Sequence, residues 1–196
     1  MPDSIPLIDL LQQIRACRHC EADLPLGPNP VVRASKSARL LIIGQAPGTK
    51  VHASGIAWDD PSGDRLRHWL AVDKDVFYDE SFLAIVPMGF CYPGRGKSGD
   101  LPPSVACAPL WHPQLLDHMP DIELVLLVGS YAQNHYLEGS RETLTQRVSR
   151  WQDFGPRFLP LPHPSPRNAL WLKRNPWFER EVVPELQSRV QKLICK

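Results

Sequence analysis

The chain has 196 residues, 43% of them apolar, with six tryptophans, which is enough for one sizeable core and short for two domains. Lys and Arg total 22 against 21 Asp and Glu, a formal net charge of +1, so composition points to no polyanionic partner and any nucleic-acid surface must be local. No run approaches the roughly 18 consecutive apolar residues of a membrane span, and Met1 to Ser4 lacks the basic and apolar regions of a secretory leader, so a cytosolic, non-membrane protein is expected.

A helix is predicted over 4–17, capped by Ser4, with Ile5, Leu7, Ile8, Leu10, Leu11 and Ile14 largely on one face. It runs into Cys17 and Cys20. Residues 21–36 read as an extended connector to a first buried strand, 38–43. That strand empties into Gly44-Gln45-Ala46-Pro47-Gly48 and a polar loop carrying His52, Trp58, Asp59 and Asp60, before a helix that starts near Ser62 and turns Leu66, Trp69 and Leu70 inward. A second strand is predicted over 82–88, ended by Pro87. Residues 91–103, CYPGRGKSGDLPP, are too rich in Gly and Pro for an element and long for a connection, a combination usual in functional loops.

Beyond Cys107 the pattern gives a helix over 111–119, a third strand over 123–129, a helix through Tyr136 and another over 141–151. A fourth strand, 157–161, stops at Pro162-His163-Pro164-Ser165-Pro166-Arg167-Asn168. The final helix, 176–194, is expected to kink at Pro184 and to cover a sheet face with Phe178, Val182, Val183, Leu186, Val190 and Leu193. Apolar strands alternating with helices imply an α/β class fold, a single three-layer α/β/α domain around a mostly parallel four-stranded sheet. In such sheets ligands bind at the carboxyl ends of the strands, where the first and fourth strands carry the two most distinctive loops.

Four of the five cysteines form a pattern: Cys17 and Cys20 with two residues between them, then Cys91, then Cys107 after fifteen intervening residues, with Cys195 alone. In a cytosolic chain this argues against disulfides and supplies four thiolates, enough for an all-cysteine metal site. The competing reading makes Cys91 and Cys107 ordinary buried residues. Zinc and an iron-sulfur cluster both accept four thiolates, and spacing does not separate them.

GQAPG after the first strand, SGIAWDDPSGDRL, the cysteine spacing and HPSPRN together resemble the uracil-DNA glycosylase superfamily in its iron-sulfur branches, the fourth and fifth families. GQAPG is similar to the fourth family's GEAPG. SG, an aromatic three residues on, then Asp-x-Ser-Gly is similar to the fifth family's TGxxFxGDxSG, one residue shorter here. The resemblance implies a repair glycosylase acting on a base flipped out of DNA, with Cys17, Cys20, Cys91 and Cys107 holding a structural 4Fe-4S cluster near the DNA. Zinc is the alternative metal.

Cleaving an N-glycosidic bond puts positive charge on the sugar and negative charge on the base, so the site needs a carboxylate and donors aimed at the base. Asp60 falls at the fifth family's catalytic Asp, with Asp59 as rival; for either, the competing role is a helix cap. Gln45 stands where the fourth family has its catalytic Glu, and being uncharged it can orient water or phosphate but not act as a base. The Gly44, Ala46, Pro47 and Gly48 backbone is expected to position substrate, Trp58 to stack on the base or pack in the core, and His52 to be a solvated loop residue. His163 matches the superfamily's HPS motif, donating to the base carbonyl, with Pro164 and Ser165 entering the minor groove. Arg167, Asn168, Lys173 and Arg174, interleaved with Trp171 and Trp177, suit phosphate contact and stacking. The second strand lacks the families' uracil-reading asparagine, and main-chain groups at Met88 and Gly89 are the expected substitute, so base preference stays open. Two rivals remain: an inactive nucleic-acid-binding relative, and a four-cysteine zinc hydrolase of a small molecule.

Overall fold

A computed structural model describes residues 5–97, 99–137 and 142–196. The Ser4 cap and the Arg141 helix start lie outside the described residues. Four strands, β1 (Leu40–Ile43), β2 (Leu83–Ile85), β3 (Leu124–Val128) and β4 (Phe158–Leu161), form one sheet in the order β2-β1-β3-β4. All three pairings are parallel, so the sheet is wholly rather than mostly parallel. Each strand is apolar along its length because both faces are covered.

Alternation sorts the strand residues into two cores. Leu40, Ile42, Leu126, Leu159 and Leu161 pack with Leu66, Trp69, Phe178, Leu186 and Val190 from α3 (Pro61–Leu70) and the C-terminal helix. Leu41, Ile43, Val125 and Leu127 pack with Leu10 and Ile14 of α1 (Leu7–Arg15), Leu115 of α5 (Cys107–Asp117) and Ala132 of α6 (Ser130–Tyr136). The period-two partition makes the three layers.

Several elements depart from the sequence expectation. The first helix begins only at Leu7, leaving Ile5 before it, and both Ile5 and Ile8 are exposed, so its inward face is narrower than the run of apolar residues suggests. The loop after GQAPG contains α2 (Thr49–Ser54), started at Gly48 and closed by Gly55, whose φ of +72° suits a glycine C-cap. A short α4 (Lys74–Phe77) follows α3. α5 begins at Cys107, four residues before the expected start, and α7 is confined to Leu144–Ser149. After β4, α8 (Ala169–Arg174) precedes a π-helical turn, Phe178–Val182, that leads into α9 (Val183–Ile194). The irregularity expected at Pro184 lies in that turn, and Pro184 itself sits in the first turn of α9, where its missing N–H costs nothing. All six residues expected to face the sheet from this segment are buried.

Candidate active site and cysteine cavity

The carboxyl ends of β1 and β4 open onto a cavity of about 270 Å³. Its walls include Gly44 to Gly48, Trp58, Asp60, Ser62, Asp100, His163, Ser165 and Arg167. An adjoining cavity of about 260 Å³ shares Gln45, Ala46, Pro47, Asp100, His163, Ser165 and Arg167 and adds Gly99 and Asn168. The two segments singled out in the sequence, more than a hundred residues apart, thus meet in one place.

His163 is held from several sides. Fully buried Gln133 of α6 donates to the carbonyls of Leu127 (3.2 Å) and Leu161 (2.9 Å), tying the ends of β3 and β4 together two residues before the histidine. Arg65 of α3 donates to the carbonyls of Pro164 (3.2 Å) and Ser165 (3.0 Å), and the Asn168 amide donates to the His163 carbonyl at 2.7 Å. The Ser165 N–H donates to Nδ1 at 3.2 Å, so in the neutral ring the proton resides on Nε2. Burial lowers the imidazole pKa from its ordinary value, opposed by the negative charges of Asp60 and Asp100. The outcome is a neutral donor with a fixed tautomer, suited to stabilise charge growing on an oxygen.

Trp58 lies with its ring centroid 5.5 Å from that of His163. Its φ of +58° is unusual for a bulky residue. The conformation is secured by Arg67, which donates to the Trp58 carbonyl at 3.2 Å, and by Gly63, where a Cβ would fall 1.7 Å from that oxygen. A Cβ at Gly44 would come within 2.9 Å of the indole, so the ring lies against the GQAPG backbone. Trp58 accordingly packs on the core, one of its expected roles, while one part of it faces the cavity.

Asp60 takes the helix-cap role and also reaches the cavity. It caps α3, Oδ1 accepting the Gly63 N–H at 2.8 Å, and it lines the cavity. Asp59 points elsewhere, toward Lys74 at 3.8 Å, and is not part of the lining. Gln45 faces the cavity while its Nε2 donates to the Leu101 carbonyl at 3.2 Å, fastening the 91–103 loop.

Other expected residues fall outside. The Met88 and Gly89 N–H groups are engaged by the carbonyls of Gly44 and Gln45, both at 2.9 Å, and neither residue lines the base-sized cavity, so these amides are not free to read a base. Lys173 and Arg174 are exposed on α8, beyond the lining. Trp171 and Trp177 pack edge-on with each other and with Phe178, and the Trp171 indole donates to Thr145, so these rings serve the core rather than stacking on bases. His52 lies in α2, not in a solvated loop, its Nδ1 buried without a hydrogen-bond partner among the described residues. The sequence reading overlooked Asp100, Arg65 and Gln133. Only Asp100 had a visible signal, its place in the long Gly/Pro-rich loop.

A separate, larger cavity of about 410 Å³ is lined by Cys17, Cys20, Cys91 and Cys107 with a mostly apolar surround that includes Leu24, Pro28, Phe90, Pro102 and Trp111. Gly89 lines this cavity. All four cysteines are free thiols. The Phe90 N–H donates to the Cys107 sulfur at 3.4 Å, and Cys20 Sγ lies 3.1 Å from Ser104 Oγ. Burial pushes the Cys107 thiol up to about 12 and also raises Cys91, the latter opposed by a backbone hydrogen bond from Asn29. Among the described residues no three His, Cys, Asp or Glu side chains converge as they would around a single ion.

An all-parallel α/β/α sheet with a histidine and carboxylates around a cavity at its carboxyl edge has the anatomy of an α/β enzyme site. The family is specific: the model of the Uracil DNA glycosylase superfamily matches residues 32–187, and the chain belongs to that superfamily. The match begins after Cys17 and Cys20. Among the described residues no helix is long and apolar enough to cross a membrane.

Proposed function

We propose that the protein is a DNA repair glycosylase that hydrolyses the bond between deoxyribose and a damaged base flipped out of DNA, uracil first. The observation that carries this reading is His163, a neutral Nε2–H donor in the same cavity as the Asp60 carboxylate, in a chain of this superfamily. As the bond breaks, His163 donates to the base oxygen on which negative charge collects. Asp60, fixed at the head of α3, sets negative charge beside the developing sugar cation. Trp58 forms one wall of the base pocket and the Gly44 to Gly48 backbone another. Ser165, Arg167 and Asn168 stand at the mouth for the strand, with Lys173 and Arg174 contacting phosphate further out; Pro164, expected to enter the minor groove, is instead buried and lines neither cavity. The protein acts as a monomer in the cytosol.

In this reading the four thiols of the cysteine cavity hold a 4Fe-4S cluster, with zinc the alternative for the same donors. The apolar walls and the N–H donor to a sulfur suit a cluster as well. When bound, such a group supplies cross-links between the α1 exit, the β2 exit and the α5 start, not chemistry on the base.

Purified protein incubated with duplex and single-stranded oligonucleotides containing uracil, hypoxanthine or xanthine is expected to leave abasic sites in at least one. Binding without abasic product from any of them would favour an inactive relative. Iron content and absorption near about 400 nm are expected for the cluster; a colourless protein with stoichiometric zinc would support the zinc reading.

A further inference from the structure

Asp100 is the second carboxylate of the pocket. It lines both adjoining cavities with His163. Its Oδ2 lies over the GQAPG turn, at 3.6 Å from where a Cβ on Gly48 would be. A small hairpin presents it: Arg95 and Asp100 form an antiparallel bridge, and the Gly96 N–H donates to the Gly99 carbonyl at 2.7 Å. The next residue is pinned twice, Leu101 N–H to the Gly94 carbonyl at 2.9 Å and Leu101 carbonyl to Gln45 Nε2 at 3.2 Å. The ends of this loop are Cys91 and Cys107, which turn into the cysteine cavity.

The two pocket carboxylates have different constraints. Asp60 has one oxygen committed to the Gly63 amide at the head of α3, a geometry for a fixed charge. Among the described residues no hydrogen bond or ion pair ties down the Asp100 carboxylate, and the residue is exposed at the pocket mouth, where water arrives. Environments that separate two carboxylates commonly divide their roles. Resting on the glycosylase reading, we propose that Asp100 is a catalytic residue, the base that takes a proton from the attacking water, while Asp60 stabilises the sugar cation. In that step the water oxygen bonds to C1′, the C1′–N bond breaks with its electron pair leaving on the base, and one water proton moves to Asp100. The base anion, hydrogen-bonded to His163, is then protonated from solvent, and Asp100 returns its proton there.

Single-turnover cleavage is to be measured for wild type, Asp100→Asn, Asp100→Glu and Asp60→Asn across pH, with binding to DNA carrying a neutral tetrahydrofuran or a cationic pyrrolidine abasic analogue. Asp100→Asn is expected to lower the rate by about a hundredfold and to remove the acidic limb of the pH profile. It should keep wild-type melting, wild-type affinity for the neutral analogue and the preference for the cationic one. Asp100→Glu should restore part of the rate and the acidic limb. Asp60→Asn should lose the cationic preference. Cleavage by Asp100→Asn within threefold of wild type, or an unchanged acidic limb, would overturn the assignment while leaving the glycosylase reading intact. Wild type silent on every base would overturn both.

Discussion

The two principal cavities of this molecule are organised on opposite plans. In the base-sized pocket the polar groups are aimed by backbone hydrogen bonds, two from their own segments and one from the 91–103 loop: the Ser165 N–H sets the His163 tautomer, the Gly63 N–H fixes Asp60, and the Leu101 carbonyl holds Gln45. In the cysteine cavity four cysteines line a larger, mostly apolar space, and burial raises the Cys107 and Cys91 pKa values. One site is preorganised by hydrogen bonds within the polypeptide, whereas the other gathers four unlinked thiols in a mostly apolar lining. The difference teaches where perturbation should act: on rate in the first, on stability in the second.

The largest effect is expected at the preorganised pocket. His163→Ala should lower the single-turnover rate by about 10³-fold with DNA affinity and melting temperature nearly unchanged; a rate within tenfold of wild type would break the contrast. Cys107→Ala should do the reverse, abolishing absorption near about 400 nm and lowering the melting temperature by roughly 10 °C. Full stability and colour in that variant would show that Cys107 neither holds a metal group nor braces the fold.

A third test concerns the wall between them. His112 of α5 lies beneath Pro87, which lines the base pocket, with Nε2 3.0 Å from the Pro87 carbonyl and Nδ1 2.6 Å from the Tyr136 hydroxyl. Burial first, and His135 secondarily, lower its pKa from 6.5 to about 4, against the Pro87 hydrogen bond. Between those values the unfolded chain binds a proton that the native state refuses, so stability falls as pH drops from 6.5 toward 4. The loss approaches roughly 3 kcal/mol at the lower end. Urea titrations across this range should show the slope in wild type and a flatter one in His112→Gln; identical slopes would exclude His112 as the source. The smallest effect is expected for Arg65→Ala, which frees the Pro164 and Ser165 carbonyls and should cost about tenfold in rate through loss of positioning, on the order of 1–2 kcal/mol.

The sheet was legible because its strands are short apolar runs, each bounded by Gly, Pro or polar residues, as at Leu40–Ile43 and Leu124–Val128. The loops that end β1 and β4 were legible as well, since Gly-Pro punctuation at a strand end leaves little but a site. Three short helices, α2, α4 and α8, were not legible because a helical segment of six residues or fewer, set among Gly, Pro and polar residues, hardly develops a periodic pattern. The aromatic residues around Lys173 misled for a related reason: the alternation of Trp with basic residues is the same whether the rings face DNA or, as here, Phe178.

By itself the sequence determined the α/β class, the two loops that would meet, and the set of four thiols. Those follow from hydrophobic pattern and residue chemistry, which are local. Only the tertiary structure decided which carboxylates share the pocket with His163, turning Asp59 toward Lys74 and bringing in Asp100. It also decided that the Met88 and Gly89 amides are already engaged and that the four cysteines line one shared cavity. Those outcomes depend on hydrogen-bond partners and burial contributed by distant segments, and no spacing within one segment encodes them.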